Sequence, residues 1–72
     1  MNNRITYNPK IFAGKPTIKG TRISVEFILE LLASGMTPEE IVKEDPQLNK
    51  RDIWAVLDYA AKIIKKEELI PV

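Results

Sequence analysis

Apolar residues recur at helical spacing in two segments of the chain. The longest segment runs from Asn49 to about Lys65, with apolar residues at Ile53, Val56, Leu57, Ala60, Ile63 and Ile64. An earlier segment runs from Ser24 to Ala33 or Ser34, with apolar residues at Val25, Phe27, Ile28, Leu29, Leu31 and Leu32. Spacings of three and four residues place side chains on one face of an α-helix. The pattern therefore predicts amphipathic helices, of which the last is the longest.

Each predicted helix begins at a residue type that caps helices. Ser24, Thr37 and Asn49 carry side-chain oxygens that can accept from the first-turn N–H groups. Pro38 suits the first helical position, and Glu40 and Asp52 follow their caps by three residues, as in a capping box. Each cap also lies between an apolar residue and an isoleucine at the fourth helical position: Ile23 and Ile28, Met36 and Ile41, Leu48 and Ile53. These hydrophobic staples predict a compact bundle with defined crossings.

The first part of the chain has β-prone fragments instead. Residues 5–7 form a short β-prone run closed by Asn8-Pro9, and residues 10–12 form a second extended fragment ended by Ala13-Gly14. Residues 14–23 place β-branched residues on either side of Lys19-Gly20, which predicts a tight extended or hairpin-like arm. Strands this short are unstable alone, so we expect them to lie on the helices or to pair with another chain.

These elements predict a single, mainly α domain over residues 1–72. It comprises a basic β-arm or hairpin (1–23), a three-helix, homeodomain-like helix-turn-helix bundle (24–66) and a C-terminal tail (67–72). The short second helix and the long third helix, joined through residues 45–48, match the helix-turn-helix arrangement with the long helix in the recognition position.

Composition limits the chemistry that the chain can perform. With no His and no Cys, it has no imidazole base, no thiol nucleophile and none of the usual transition-metal ligands, so we expect neither an enzyme nor a metal or cofactor. A chain of 72 residues buries a small fraction of its surface, and without disulfides it gains stability by association. We therefore expect a homodimer or higher oligomer. The sequence has no signal-peptide h-region and no long apolar run, so we expect a cytoplasmic protein and no membrane partner.

Charge is divided into blocks although the net charge is only +1. Residues 1–25 carry +5, residues 26–48 carry −5 and the remainder carries +1. A polyanion would meet the first block and the start of the third. The candidate DNA-binding residues are Lys15, Lys19, Arg22, Asn49, Lys50 and Arg51. The acidic second helix opposes a standard docking unless its carboxylates face away.

Each of these candidates also has a purely structural interpretation. Asn49 is either the helix cap or a base contact, and capping is the simpler interpretation. Lys50 and Arg51 are either contacts to bases and phosphates or ordinary surface charge. The lysines of the arm could simply protect an edge strand from aggregation.

Aromatic and apolar residues toward the C-terminus are candidates for a protein interface. Trp54 lies beside the apolar stripe, which suits either the edge of the core or an interface anchor, because tryptophan is enriched at binding hot spots. Tyr59 is similar, and its hydroxyl requires a partner if it is buried. Leu69 and Ile70 in the tail are candidates for docking on a neighbouring molecule.

The chain resembles the domain of unknown function 433 family over almost its whole length. The similarity lies in a "GKP-I-GTRI" segment and in the helices that follow it: residues 14–25, 28–29, 32–41, 46–48 and 52–60. Members of this family resemble small prokaryotic helix-turn-helix proteins and are regarded as antitoxins of VapBC-like type II modules. The resemblance implies a PIN-like ribonuclease toxin as partner and regulation of its own operon.

A PIN-like active site is a cluster of metal-binding carboxylates, so a cation of the antitoxin could occupy it. The candidates are Arg22, Arg51, Lys65 and Lys66. The leading hypothesis is thus an antitoxin that neutralises this ribonuclease and binds operator DNA as a dimer. The alternatives are a protein-interaction or oligomerisation module that does not bind DNA, and a standalone transcription regulator.

Overall fold

Three helices follow a two-stranded hairpin in the computed structural model, which describes residues 3–67. The strands are β1 (Ile5–Tyr7) and β2 (Pro16–Ile18), and the helices are α1 (Val25–Ala33), α2 (Pro38–Glu44) and α3 (Lys50–Glu67). The predicted class, a mainly α three-helix bundle with a short β-arm, is confirmed. Leu69 and Ile70, predicted as interface residues, lie outside the described residues.

All three helix starts use the predicted caps. The Ser24 Oγ accepts from the Phe27 N–H at 2.9 Å, and Thr37 and Glu40 form a complete capping box. At α3 the Asn49 Oδ1 accepts from the Asp52 N–H at 3.1 Å, while the Asn49 N–H donates to the Asp52 Oδ2 at 2.9 Å. These bonds satisfy first-turn N–H groups that would otherwise lack partners.

The core lies where the three helices and the hairpin meet. Its buried apolar residues are Ile18, Val25, Ile28, Ile41, Leu48, Ile53 and Val56. The isoleucine at the fourth position of each helix is at most 1% exposed, as the staple pattern predicts. The start of each helix is therefore fixed by a cap and by a buried anchor one turn later.

The apolar stripe of α3 leaves the core partway along the helix. Ile53 and Val56 are fully buried and Ala60 is half-buried, but Leu57, Ile63 and Ile64 are exposed, so the core covers only part of the predicted apolar face. Helix α3 has 18 residues, whereas α1 has nine and α2 has seven. At 1.5 Å per residue α3 is about 27 Å long and extends beyond its neighbours. Phe27, which the spacing places on the core face of α1, is exposed as well.

The hairpin is antiparallel and pairs Ile5 with Ile18 and Tyr7 with Pro16. After β2 the chain reverses at residues 18–21, where the Thr21 N–H donates to the Ile18 carbonyl at 3.0 Å. Gly20 has φ +82°, the left-handed conformation that glycine adopts without steric cost. The chain then returns alongside β2, and an isolated bridge joins Thr17 to Ser24. The predicted hairpin-like arm is thus present, with β2 as its central strand.

The prediction of a second extended fragment at residues 10–12 is wrong. Residues 9–10 form a turn, and Phe12–Gly14 forms a short 3₁₀ turn in which Phe12 and Ala13 have φ of 49° and 54°. Hydrogen bonds close it: the Gly14 N–H donates to the Ile11 carbonyl at 3.0 Å, and the Lys15 N–H to the Phe12 carbonyl at 3.1 Å. The β-prone side chains indicated a strand, but the short connection back to β2 requires the chain to turn here.

Replacing Ala13 by glycine should raise the free energy of unfolding by about 1 kcal/mol, because a left-handed alanine costs about 1–2 kcal/mol and a glycine loses somewhat more chain entropy. Urea denaturation of the two proteins measures this. Ala61→Gly, at an exposed position inside α3, is the matched control and should lower the same quantity by about 1 kcal/mol. Equal effects of the two changes would contradict the strain at Ala13.

Candidate nucleic-acid and protein interface

The turn of the arm lies beside the first turn of α3. Lys19, Arg4 and Asp52 line one cleft, and the Lys19 N–H donates to the Arg4 carbonyl at 2.7 Å. Arg22 lines a second, larger groove together with Gln47, which lies just before α3. The cations of the arm and those of α3 are far apart in sequence, but the fold brings them to the same end of the molecule.

We call this surface the basic end and define it by four exposed cations: Lys19, Arg22, Lys50 and Arg51. One carboxylate stands among them, since Glu39 of α2 pairs with Lys50 at 3.1 Å. Hydrogen bonding to its own backbone N–H, followed by its interaction with Lys50, lowers the pKa of Glu39 below the ordinary value. Four positive charges and this one negative charge leave the basic end with a net charge of +3.

The other two predicted DNA contacts are already engaged within the chain. The Asn49 Oδ1 caps α3 by accepting from the Asp52 N–H, as the capping interpretation of this residue predicts. Lys15 lies against α1, where its Nζ is 3.3 Å from the Glu26 carboxylate. Both side chains of that ion pair are mainly exposed, so the pair adds little stability and a phosphate could compete for the lysine.

Arg4 and Asp52 form an ion pair that the sequence did not indicate. The Arg4 Nη1 donates to the Asp52 Oδ1 at 2.9 Å, and Asp52 is only 5% exposed. The same carboxylate also belongs to the capping box with Asn49. Arg4 is thus committed to fixing β1 on α3, and it does not belong to the cations of the basic end.

A second link between β1 and α3 joins two tyrosine hydroxyls. The hydroxyl groups of Tyr7 and Tyr59 are hydrogen-bonded, and their ring centroids are 6.4 Å apart. From position 4 to 7 a strand advances about 10 Å, and from 52 to 59 a helix also advances about 10 Å. Both links can therefore form at once, and together they hold β1 along α3. The hydroxyl partner expected for Tyr59 is Tyr7.

This arrangement predicts an unusual titration of Tyr59. Burial is the largest cause, and the hydrogen bond between the Tyr59 and Tyr7 hydroxyls is the second; together they raise the pKa of Tyr59 to about 12. Because the folded state holds its proton more tightly than the unfolded state, this contribution to stability is full below pH 10 and declines as the pH rises from 10 to 12. Ultraviolet titration should show one tyrosine that ionises at higher pH than an ordinary phenol. Tyr7→Phe should lower the pKa of Tyr59, and an unchanged titration of Tyr59 would contradict the hydrogen bond between the two hydroxyls.

Trp54 lies on the surface of α3 rather than at the edge of the core. It is 52% exposed, and Leu57, one turn later on the same side of the helix, is 40% exposed. Arg51 precedes Trp54 by three residues, so the helix presents a cation followed by an apolar ridge. We call Trp54 and Leu57 the α3 ridge.

The described residues contain no group of His, Cys, Asp and Glu side chains that could hold a metal ion. None of the helices described here is both long enough and apolar enough to cross a membrane.

Fold and surface together define a small, mainly α three-helix protein with a short β-hairpin, a basic end and an exposed apolar ridge. The chain belongs to the family described as "Protein of unknown function (DUF433)", whose model matches residues 5–60. The resemblance stated from the motifs is thereby confirmed. Comparison with curated proteins finds no match to the chain.

A solved structure of a DUF433 member from Anabaena variabilis ATCC 29413, determined at 2.00 Å, has the same fold. The two proteins are 25% identical, and the TM-score is 0.81. The match covers 89% of this chain but 63% of that one, so this chain spans less than two thirds of its structural neighbour.

Proposed function

We propose that the protein is a cytoplasmic antitoxin of a VapBC-like module, which binds a PIN-like ribonuclease through α3 and binds operator DNA as a dimer through its basic end. The observation that carries this proposal is the exposed α3 ridge, which adjoins Arg51. The family resemblance supplies the class of partner. The ridge and the cation supply the chemistry by which that partner would be recognised.

The α3 ridge suits a protein partner better than a DNA groove. A half-exposed tryptophan next to an exposed leucine offers apolar area that water solvates poorly. Tryptophan anchors commonly supply about 2 kcal/mol or more of binding free energy at protein interfaces. A helix that read bases along its length would instead present polar side chains at these positions.

Arg51 is the best placed of the four cations proposed to reach the carboxylates of the toxin. It is exposed, forms no ion pair with another described residue, and precedes Trp54 by one turn on the same side of α3. A guanidinium can bind a carboxylate through two parallel hydrogen bonds and stays charged at all physiological pH values. Arg22 lies on the arm, and Lys65 and Lys66 lie at the far end of α3.

Co-expression with a PIN-like nuclease encoded next to this protein tests the toxin half of the proposal. We expect growth to be rescued and the two chains to purify together. Trp54→Ala should weaken the complex by about thirtyfold or more, and Arg51→Ala should reduce inhibition of the nuclease. Lys10→Ala, an exposed cation outside both surfaces, is the control and should change neither. If no complex forms with the wild-type chain, this half of the proposal fails.

The basic end supports the DNA half. Removing one cation that neutralises a phosphate should reduce the slope of log K against log salt by about 0.9. Lys50→Ala combined with Arg51→Ala should therefore lower the slope by about 2 for each bound chain. Fluorescence anisotropy with the promoter fragment measures this, and Lys10→Ala again serves as control. Absence of binding at low salt would contradict the DNA half alone.

A protein-interaction module without DNA binding is the alternative, and one observation favours it. Glu39 is paired with Lys50, so an acidic residue of α2 stands at the surface that would face phosphates. Glu39→Gln distinguishes the two functions. This change should increase the affinity for DNA if the basic end contacts phosphates. If the chain binds only protein, neither the wild type nor the variant should bind DNA. A standalone regulator would bind DNA but no nuclease.

A further inference from the structure

A groove between α1 and α2 is left unused by the proposed function. Its volume is about 240 Å³, larger than the cavity of about 150 Å³ that accommodates benzene in an engineered protein, so it can admit an aliphatic side chain. It is lined by Phe27, Leu31, Met36, Ile41, Glu44, Asp45 and Leu48. Phe27 forms its exposed edge and is 49% exposed.

The charges at this groove are all negative. Among the described residues, Glu44 and Asp45 are the only ionisable ones that line it, and Glu26 and Glu30 line an adjoining groove that shares Phe27. In that second groove Arg22 is present, and Glu26 is paired with Lys15. No cation within residues 3–67 lines the α1–α2 groove to balance its carboxylates. It therefore fits an occupant that combines aliphatic side chains with positive charge.

The last turns of α3 have that composition. Residues 61–66 are all exposed, and they include Ile63 at 40% and Ile64 at 57% exposure. Lys62, Lys65 and Lys66 surround these isoleucines, and only Lys62 has an ion-pair partner among the described residues, Asp58 on the same helix. Isolated helical turns gain little stability in water, so this end of α3 would be stabilised by packing on another surface.

The end of α3 cannot reach the groove of its own chain. Helix α3 begins two residues after Leu48, which lines the groove, but none of the described α3 residues lines it. At 1.5 Å per residue, Ile64 lies about 21 Å along the axis from Lys50. The basic, apolar segment and the acidic, apolar groove therefore lie far apart on one molecule, and they can meet only between two molecules.

We propose that two copies of this chain form a dimer in which residues 62–66 of each α3 occupy the α1–α2 groove of the other. Isoleucine side chains enter the groove beside Phe27, and the lysines face Glu44 and Asp45. Because each copy donates one helix end and one groove, the contact is reciprocal and closes after two chains. The dimer leaves the basic end and the α3 ridge of each copy available. It does not depend on the proposed toxin or on DNA.

Charge reversal on each surface tests this dimer with the purified full chain alone. The first variant carries Lys65→Glu and Lys66→Glu, and the second carries Glu44→Lys and Asp45→Lys. Each should raise the dissociation constant of its own dimer at least tenfold, because like charges then face each other. Mixing the two variants should restore a dimer, since each reversed surface meets its complement in the heterodimer. Sedimentation equilibrium at low salt measures the dimerisation of each variant and of their mixture, and circular dichroism verifies that both variants are folded.

Lys10→Glu is the control and should leave the dimer unchanged. The proposal would be overturned if the wild-type chain stays monomeric up to about millimolar concentration, because its dissociation constant would then exceed about 1 mM, which corresponds to a binding free energy of about 4 kcal/mol. Charge reversals that leave the dimer intact, or variants that do not combine on mixing, would also overturn it. A molar mass larger than that of two chains would contradict the reciprocal dimer, in which each copy donates one helix end and one groove. A failure of the toxin or DNA experiments would not affect this result.

Discussion

Replacing Asp52 by alanine should lower the free energy of unfolding by about 3 kcal/mol. The carboxylate accepts from the Arg4 guanidinium at 2.9 Å and from the Asn49 N–H at 2.9 Å, and it is almost fully buried. A hydrogen bond to a charged group contributes about 1.5–3 kcal/mol, and a helix cap about 1 kcal/mol. A domain of 72 residues has about 4–11 kcal/mol of stability in total, so this one change should remove a large part of it.

Urea denaturation of four proteins measures the effect: wild type, Asp52→Ala, Arg4→Ala and the double variant. Arg4→Ala leaves the buried carboxylate without its cation, so it should also destabilise, and the two changes should be non-additive by about 1–2 kcal/mol. Asp58→Ala is the matched control on the same helix. Its ion pair with Lys62 joins two residues one turn apart on the same helix, and the lysine side chain is 60% exposed, so its removal should cost less than about 1 kcal/mol. Equal destabilisation at Asp52 and Asp58 would contradict the role of the Arg4 pair.

The Asp52 pair also bears on the proposed DNA surface. It fixes the start of β1 against the first turn of α3, and the Arg4 carbonyl in turn holds the turn of the arm through the Lys19 N–H. Asp52→Ala should therefore weaken DNA binding as well as stability, although Asp52 itself is negative and buried. Removing a negative charge would otherwise favour polyanion binding. A decrease in affinity would accordingly indicate that the arm must be held in position.

The helices could be predicted because the signals that begin them are local. Ser24, Thr37 and Asn49 act within one turn of their own positions, and the isoleucine four residues after each cap is buried in every case. No knowledge of the rest of the fold is needed to recognise such a pattern. The charge blocks likewise predict which segments would meet a polyanion: residues 1–25 and the residues from Asn49 onward that begin the third block.

The features that the sequence does not reveal depend on interactions between distant parts of the chain. Arg4 and Asp52 are 48 residues apart, and nothing in either sequence neighbourhood indicates the other. The turn at Phe12 arises because β1 and β2 must pair, and that requirement overrides the β preference of an aromatic residue. The apolar stripe of α3 continues in sequence beyond the point where the shorter helices end, and periodicity alone does not reveal that length difference.

Trp54 shows the same limit at the candidate site. Its spacing suited both the core edge and an interface, and only the packing of α1 and α2 on the opposite side of α3 separates the two. The pairing of Glu39 with Lys50 was equally inaccessible, although the acidic block suggested that α2 would oppose DNA binding. Residue type and block charge thus predicted the candidates, and tertiary packing determined which of them remain free.

Ile53 and Trp54 are neighbours in sequence, yet they should respond in opposite ways to truncation. Ile53 is fully buried, so Ile53→Ala removes a core side chain and leaves a cavity, and it should lower the free energy of unfolding by about 3–4 kcal/mol. Trp54 is half exposed, so Trp54→Ala should change that quantity by no more than about 1 kcal/mol.

The binding experiments should reverse this order. At a temperature well below its unfolding transition, the folded Ile53→Ala chain should keep its affinity for the proposed partner nuclease, because its α3 ridge is intact. Trp54→Ala should lose most of that affinity while remaining folded. If Trp54→Ala destabilises the chain as much as Ile53→Ala does, the tryptophan belongs to the core and the ridge is not an interface. If it is stable and still binds fully, the partner binds another face, because a tryptophan anchor would be expected to supply about 2 kcal/mol.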